Sequence, residues 1–408
     1  MSTWPIRIAR AERQHAVDCI LRPAHVPLFL NDTLSATRKA VPEGPIKLYV
    51  CGVTPYDTTH LGHAFTFVHF DTLVRGMRWL APERQVVYVQ NVTDIDDSIL
   101  QRARVLQVDW RSLGDEQVEQ YLADMRDLNV AAPTHLVRAT AVVPTMLKII
   151  KLLLERDAAY VVDRGSVFFR VRSVPTYGEL SRLSREAMLA IASQQDDADV
   201  DDPRKEDPLD FALWKGWSGQ PDEPCWESPW GSGRPGWHIE CSALVYQYLG
   251  EQVTIHGGGA DLMFPHHESE IAESETAFQK RPFAQIWSHV AMVRKDGEKM
   301  SKSLGNMVFV RELLRNYSAD AIRLNLVQHH YREVWDWSPA AMDEAARVAK
   351  RLATAARGPD VSADIARENF AAALSDDLDT PRAVRLLESV GGETLRELGG
   401  VLGLRLTD

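Results

Sequence analysis

The chain has 408 residues, 45% of them apolar and 25% charged, with a formal net charge of −11. That length allows two or three domains and a large buried core, and the composition excludes disordered, fibrous and disulfide-stapled classes. The acidic balance weighs against nucleic acid without excluding it, because a polyanion would have to bind at a local basic patch against an unfavourable overall field.

No apolar run approaches membrane-spanning length, and Met1 to Arg13 is too charged for the apolar region of a signal peptide, so a cytoplasmic location is expected. Four cysteines, Cys19, Cys51, Cys225 and Cys241, are too scattered for a disulfide framework. In a reducing compartment they read as packed, ligating or reactive thiols.

Residues 1–44 carry Pro, polar clusters and one apolar patch near Val26 to Leu30, and read as a loosely structured extension. From 45 to 160, β-rich runs alternate with helical patterns: strand 47–51, helix 62–80, strand 85–90, then helices 96–107, 114–128 and 138–157. This is the pattern of half a doubly wound parallel sheet in an α/β protein. Residues 161–232 change character, with a hairpin at Val161 to Val171, an acidic run from Gln194 to Asp202 and a Trp-, Pro- and Gly-rich stretch, and read as an insert. The acidic run is a solvated loop on this reading, since like charges do not pack together without partners. A second α/β half covers 233–309, with helix 238–249, strand 252–256, helix 266–279, strand 283–293 and a lysine loop. Residues 310–408 read as all-helical, including 342–357 and 368–374.

The stretch Cys51-Gly52-Val53-Thr54-Pro55-Tyr56-Asp57-Thr58-Thr59-His60-Leu61-Gly62-His63-Ala64 lies on a strand-to-helix turn, where α/β folds bind nucleotides. Its two histidines, three apart at a helix entrance, share one face close to unpaired backbone N–H groups and the positive end of the dipole, a place for a triphosphate. Gly62 between them lets a nucleotide come close to the backbone. Alone, the tetrad is equally a loop with two solvated histidines. The second signal is Glu298-Lys299-Met300-Ser301-Lys302-Ser303-Leu304-Gly305-Asn306, whose lysines can swing onto a departing pyrophosphate. Alone, it too could be a surface loop; the pair is far more specific.

The two strings resemble the His-Ile-Gly-His and Lys-Met-Ser-Lys-Ser signatures of class I aminoacyl-tRNA synthetases, which adenylate an amino acid with ATP on a Rossmann-like fold. Three further stretches, 91–97 (NVTDIDD), 234–241 (RPGWHIEC) and 256–268 (HGGGADLMFPHHE), resemble the cysteine-specific branch. The likeness runs from about Lys47 to Trp337. It implies a Rossmann-like catalytic domain in two halves, an inserted connective domain and a C-terminal helical bundle.

It also implies roles. His60, His63, Lys299 and Lys302 would act on the phosphates, with ATP and Mg2+ as substrate. Cys51, Gly52, Val53, Thr54, Thr66, Asn91, Val92, Thr93, Trp237, Gly259, Ala260, Asp261 and Val293 would surround the cysteinyl-adenylate. Cys51, Cys241, His266 and Glu270 match the zinc ligands of cysteinyl-tRNA synthetases. Chemistry agrees, because two thiolates and an imidazole suit one zinc ion, and Glu270 lies one helical turn beyond His266. A soft ion would take the thiolate of L-cysteine and reject serine's hydroxyl. The alternative is that Cys51 and Cys241 are buried core thiols. For Asp94, Asp96 and Asp97 a helix N-terminus is as good a reading as a ligand role.

Two relatives share this machinery: cysteinyl-tRNA synthetases, and mycothiol-pathway ligases that join cysteine to the amine of glucosaminyl-inositol. The strings from Thr54 to His60, Gln90 to Asp97, His329 to Arg332 with Trp335 to Trp337, and Asp376 to Pro381 resemble the ligases. The stretch after Lys299 is short for a separate anticodon-reading domain, and Leu402 to Asp408 has no basic tail, so a small amino-sugar acceptor is expected and tRNA is the alternative. Glu270 and the segment Asp207 to Lys215 resemble the synthetases instead. Another amine acceptor, or a non-catalytic cysteine sensor, completes the set. A monomer is expected.

Overall fold

The computed structural model describes residues 26–56, 59–195, 199–220, 223–300, 304–361 and 363–407. Cys19, Asp57, Thr58, the middle of the acidic run at 196–198 and, in the lysine loop, Ser301, Lys302 and Ser303 lie outside the described residues, as does 1–25 of the expected extension.

The remainder of that extension is a correction to the sequence reading: β1 (Phe29–Asp32) and β2 (Thr37–Ala40) form an antiparallel hairpin. Asp32 at its turn is fully buried, accepting from Trp287 N at 2.9 Å and from Ser35. The first α/β half follows, with β3 (Ile46–Val53), α1 (Leu61–Leu80), β4 (Val86–Val92), α2 (Asp97–Leu106), α3 (Trp110–Asp127), β5 (His135–Arg138) and α4 (Val143–Glu155). Next come β6 (Ala159–Val161), β7 (Val167–Phe169), α5 (Arg185–Ala192), β8 (Phe211–Gly216) and β9 (Gly233–Pro235). Then the chain builds α6 (Trp237–Leu249), β10 (Val253–Gly259), α7 (Glu268–Phe278), β11 (Ala284–Val290), β12 (Val293–Lys295) and β13 (Glu298–Lys299). The last stretch holds α8 (Val310–Leu313), α9 (Ala319–Val327), β14 (Trp335–Trp337), α10 (Pro339–Ala355), α11 (Ala363–Ser375), α12 (Thr380–Leu387) and α13 (Gly392–Val401).

Five strands form a parallel sheet in the order β11-β10-β3-β4-β5, with helices on both faces. From β3 the chain runs outward through β4 and β5, and after the antiparallel sheet β6-β7-β8-β9 it returns to the other side of β3 as β10 and β11. The strand order therefore reverses between β3 and β10, and ligands of open α/β sheets bind at the carboxyl ends beside such a reversal.

Alternation along β3 sorts its residues between two cores. Leu48 and Val50 pack with α1 and the C-terminal helices, while Tyr49 and Cys51 face the opposite core, shared with α4 and α6. The helical region is tied to α1 by Arg323, fully buried, which donates to Asp71 at 2.6 Å and to the carbonyls of Leu128 and Leu402. A buried guanidinium with every arm satisfied fixes the docking of α9 on α1.

Several boundaries differ from the sequence reading. The expected helix 138–157 begins only at Val143, because His135–Arg138 pairs with β4 as the sheet's edge strand. The expected strand 283–293 breaks at Ala291-Met292, and its last part, β12, leaves the main sheet to pair with β13 and β14. That pairing also puts a strand, Trp335–Trp337, in the region expected to be all-helical. The expected helix 266–279 starts at Glu268, preceded by a wide turn over Met263–His267 in which Phe264 is extended. Among the described residues no helix is long and apolar enough to cross a membrane.

Candidate active site

A pocket of about 560 Å³ opens at the carboxyl ends of β3, β4, β10 and β11, beside the strand-order reversal. Cys51 to Thr54, Asn91, Thr93 and Gly259 line it from three of these strands, and Thr66 reaches it from α1. Trp237 at the start of α6, Asp261 and Val293 complete the expected wall. Two expected residues do not line it: Val92 is buried in the sheet at 1% exposure, and Ala260 yields its place to the neighbouring Gly259 and Asp261. Tyr56, Phe67, Leu262, Met292, Met300 and Met307 supply further wall to which the sequence reading gave no role. Their signal, scattered aromatic and thioether side chains, is indistinguishable from core in one sequence.

The rim of the pocket at α1 differs from the expected open helix end in one instructive way. His60 is the N-cap, and its Nδ1 accepts from Gly62 N at 3.1 Å and His63 N at 3.4 Å, so two of the expected unpaired N–H groups are already capped. With Nδ1 accepting, a neutral ring carries its proton on Nε2 and can donate it to an incoming oxygen. The rings of His60 and His63 are stacked, centroids 3.7 Å apart. A Cβ on Gly62 would stand 2.9 Å from His60 Cε1, so the glycine serves the capping ring as well as the open approach. Gly52 is more constrained still, since a Cβ there would fall 1.7 Å from the Asn91 carbonyl oxygen. Its N–H donates to Asn91 Oδ1 at 2.7 Å, and Asn91 Nδ2 donates to Thr93 Oγ1 at 3.0 Å, which stiffens the wall between β3 and β4.

The second motif comes to the same rim. The chain after the lysine loop runs beside the histidine turn, with Leu61 N donating to Val308 O at 2.8 Å and Val310 N to Thr59 O at 3.1 Å. Lys299 lines the pocket, and its Nζ lies 3.7 Å from Asp261 Oδ2, both groups being about half exposed. The three acidic residues after Thr93 act structurally. Asp96 caps α2, Asp94 accepts from Thr140 N at 2.9 Å, and Asp97 pairs with Lys215 and Arg234.

At the floor, Cys51, Cys241, His266 and Glu270 converge, all buried, with one donor atom from each lying within 4.8 Å of the others. The Cys51 and Cys241 sulfurs are 3.8 Å apart, and Cys51 Sγ is 3.5 Å from Glu270 Oε1. His266 Nε2 is 3.3 Å from Cys241 Sγ and 3.2 Å from Glu270 Oε1. A tetrahedral ion with metal–sulfur bonds of about 2.3 Å and metal–nitrogen bonds of about 2.0 Å separates its donors by about 3.8 Å for two sulfurs and about 3.5 Å for sulfur and nitrogen. The cluster therefore has the spacing of a ligand set. A disulfide is ruled out at that separation.

Burial gives the same indication electrostatically. It pushes the Cys51 thiol well above its ordinary range and the Cys241 thiol up to about 11, while the His266 imidazole is pushed down to about 4. Without a cation the thiols stay protonated and the ring neutral; a cation among them would reverse the penalty on the thiolates.

Further histidines reach the same floor, and the sequence reading did not assign them; His256 and His267 form with Cys51 and Glu270 a second group whose donor atoms lie within 4.8 Å of one another. His256 Nε2 lies 2.9 Å from Glu270 Oε2, and His267 Nε2 lies 3.3 Å from Cys51 Sγ. His267 Nδ1 meets His289 Nε2 at 2.7 Å, and His238 Nδ1 meets His266 Nδ1 at 3.0 Å. His256, His267 and His238 stood in the quoted motifs, but nothing in their spacing separates ligands from supporting groups. Cys225 is free and exposed, and is not one of the residues that converge there.

A histidine-capped helix entrance, a lysine beside it and a buried floor of two thiols, an imidazole and a carboxylate, all at the reversal of a parallel sheet, suit a nucleotide-using α/β protein with a side-chain-selective pocket. Comparison with known proteins makes this specific: residues 37–347 match the tRNA synthetases class I (C) catalytic domain, and the chain belongs to that family. An L-cysteine:1D-myo-inositol 2-amino-2-deoxy-alpha-D-glucopyranoside ligase from Frankia casuarinae is 44% identical, covering 99% of this chain and 84% of that one. The protein of the same name from Thermobispora bispora is 43% identical over 89% of each. The cysteine--tRNA ligase of Nitrosomonas eutropha is 41% identical, covering 92% of this chain and 85% of that one. Among solved structures, Mycobacterium tuberculosis methionyl-tRNA synthetase in complex with methionyl-adenylate superposes with a TM-score of 0.61 over 89% of this chain and 88% of that one. At 13% identity that likeness speaks for the fold alone.

Proposed function

We propose that the chain is an adenylate-forming ligase that activates L-cysteine with ATP and transfers it to the amine of glucosaminyl-inositol. The observation that carries the choice of amino acid is the buried Cys51, Cys241, His266 and Glu270 set at the floor of the pocket whose rim holds His60, His63 and Lys299. The ligand set suits zinc, which when bound supplies a soft centre for the substrate thiolate. The relatives at 44% and 43% identity support the amino-sugar acceptor. In this reading residues 45–160 and 233–309 form the activating domain around a 161–232 insert, and 310–408 is the helical domain that packs on it.

In the reaction, the cysteine carboxylate attacks the α-phosphorus of ATP, pyrophosphate leaves, and the acceptor amine then displaces AMP from the acyl carbon. His60 donates from Nε2 to a phosphate oxygen, and His63, stacked on it, is held in place for the same anion. Lys299, together with Lys302, neutralises the leaving pyrophosphate while Mg2+ accompanies the nucleotide. Trp237, Thr54 and Asp261 enclose the amino acid, and the methionine-rich wall excludes water from the acyl phosphate.

A second reading, transfer to cysteine tRNA, is favoured by the relative at 41% identity. The two separate when purified protein, cysteine and ATP are given either glucosaminyl-inositol or cysteine tRNA, and AMP release and product are followed. The proposal expects an amide product from the amino sugar. Transfer to the RNA alone overturns the acceptor.

A further inference from the structure

Three of the four floor residues are anions when a divalent cation is bound: two thiolates and one carboxylate. Their charge exceeds the cation's by one, in a site with Cys241 at 1% exposure and Glu270 at 0%. A buried excess of negative charge needs hydrogen-bond donors. Glu270 has one in His256, 2.9 Å from its outer oxygen, and Cys51 has one in His267, 3.3 Å from its sulfur. Among the described residues no comparable imidazole serves Cys241, because His266, at 3.3 Å, is itself one of the four.

Tyr49 occupies that place. It precedes Cys51 by two residues on β3, so the pleat turns both side chains to the same face, toward Cys241 on α6. Its side chain is fully buried, its ring centroid stands 5.0 Å from that of His256, and among the described residues its hydroxyl has no hydrogen-bond partner. It shares one buried cluster with Cys51 and Cys241, whose sulfurs lie 3.8 Å apart. A phenylalanine would fill the same volume without leaving a polar atom dry, so packing alone gives no reason for the oxygen.

We propose that Tyr49 is a positioning residue for the metal site: when a bound cation makes Cys241 a thiolate, the otherwise unpartnered O–H of Tyr49 donates to it, completing a set in which each anionic ligand has its own donor. The donation withdraws electron density from one sulfur and lowers the excess charge, leaving the ion able to accept the additional thiolate of the substrate. This rests on the metal reading above and extends it to a residue outside the four ligands.

The test is Tyr49→Phe in protein loaded with cobalt(II), with Tyr88→Phe as control, since that buried phenol faces Gln90 at 3.3 Å instead. Loss of the hydrogen bond makes the Cys241 sulfur a better electron donor, so the sulfur-to-cobalt charge-transfer band moves to lower energy in Tyr49→Phe and stays put in Tyr88→Phe. In zinc-loaded protein, chelator competition shows retention weakened by roughly tenfold or more, the scale of outer-shell substitutions. A band unmoved in Tyr49→Phe overturns the inference while leaving the four-ligand site intact. Wild-type protein that takes up cobalt without any thiolate band, or takes up none, overturns the metal reading and this inference with it.

Discussion

Replacing Cys241 with serine removes one sulfur from the floor with the least change of shape. In the wild type that sulfur stands 3.8 Å from its fellow thiol and 3.3 Å from the His266 ring, and burial keeps its proton on up to about 11 when no cation is present. A cation can still displace a thiol proton from that value, but a serine hydroxyl stays protonated and ligates weakly. Structural zinc sites bind with about 10–16 kcal/mol in total, so one ligand of four accounts for about 3 kcal/mol on average. The variant should therefore hold zinc about a hundredfold less tightly, at about 1.4 kcal/mol per decade. The assay is zinc content after dialysis against a graded chelator, with melting of the metal-free proteins as a check on folding. Cysteine-dependent pyrophosphate exchange should fall in step with zinc occupancy. A variant that retains one equivalent of zinc as tenaciously as the wild type, and exchanges normally, would refute the reasoning.

Other perturbations test other parts of the site. Lys299→Ala should slow adenylation by about 2–4 kcal/mol of barrier, the scale of losing one preorganised charge, with zinc content unchanged; single-turnover adenylate formation measures it, and an undiminished rate removes Lys299 from the chemistry. Gly52→Ala drives a methyl group into the Asn91 carbonyl, so melting should fall by an amount equivalent to about 3 kcal/mol and ATP affinity with it; an unchanged melt contradicts the tight β3–β4 approach. Acid stability of the metal-free protein follows from its buried histidines. His69 and His289 are held down to about 3 and His266 to about 4 by burial, against about 6.5 unfolded. The unfolded chain thus binds more protons in that interval, and stability, fully present above 6.5, should be lost as pH falls from 6.5 toward 4 and 3. The share of a group moved to about 4 is about 3 kcal/mol, and denaturation that is flat across this window would contradict it.

The half of the site built on local sequence was legible. Alternation along Ile46 to Val53, the glycines and the helical period after His60 specify a strand, a turn and a helix without help from distant residues. Cys241, Trp237 and Glu270 were reachable only through family likeness, since their meeting with Cys51 depends on β10 returning beside β3. The groups packed around the four, His256, His267 and Tyr49, were not legible as such. A histidine that ligates and one that supports a ligand look the same in a sequence, and a tyrosine in an apolar strand looks like core.

The elements missed share a cause. His135–Arg138 and Trp335–Trp337 are strands only because a neighbour pairs with them, and at four and three residues they carry too little pattern of their own. The hairpin strand Thr37–Ala40 is largely exposed and polar, and its partner Phe29–Asp32 is held by Trp287 and Asp377 from far along the chain. The wide turn over Met263–His267 hid inside an apparently continuous helix, yet it is what aims His266 at the cluster.

The proposed function requires a sulfur-selecting floor beneath an ATP pocket. Pyrophosphate exchange measured on zinc-replete protein with cysteine, serine and alanine in parallel tests it most directly. Exchange should require ATP, proceed with cysteine, be suppressed by orders of magnitude with the other two, and vanish when zinc is stripped. Equal exchange with serine, or full cysteine-dependent exchange in zinc-free protein, would contradict it.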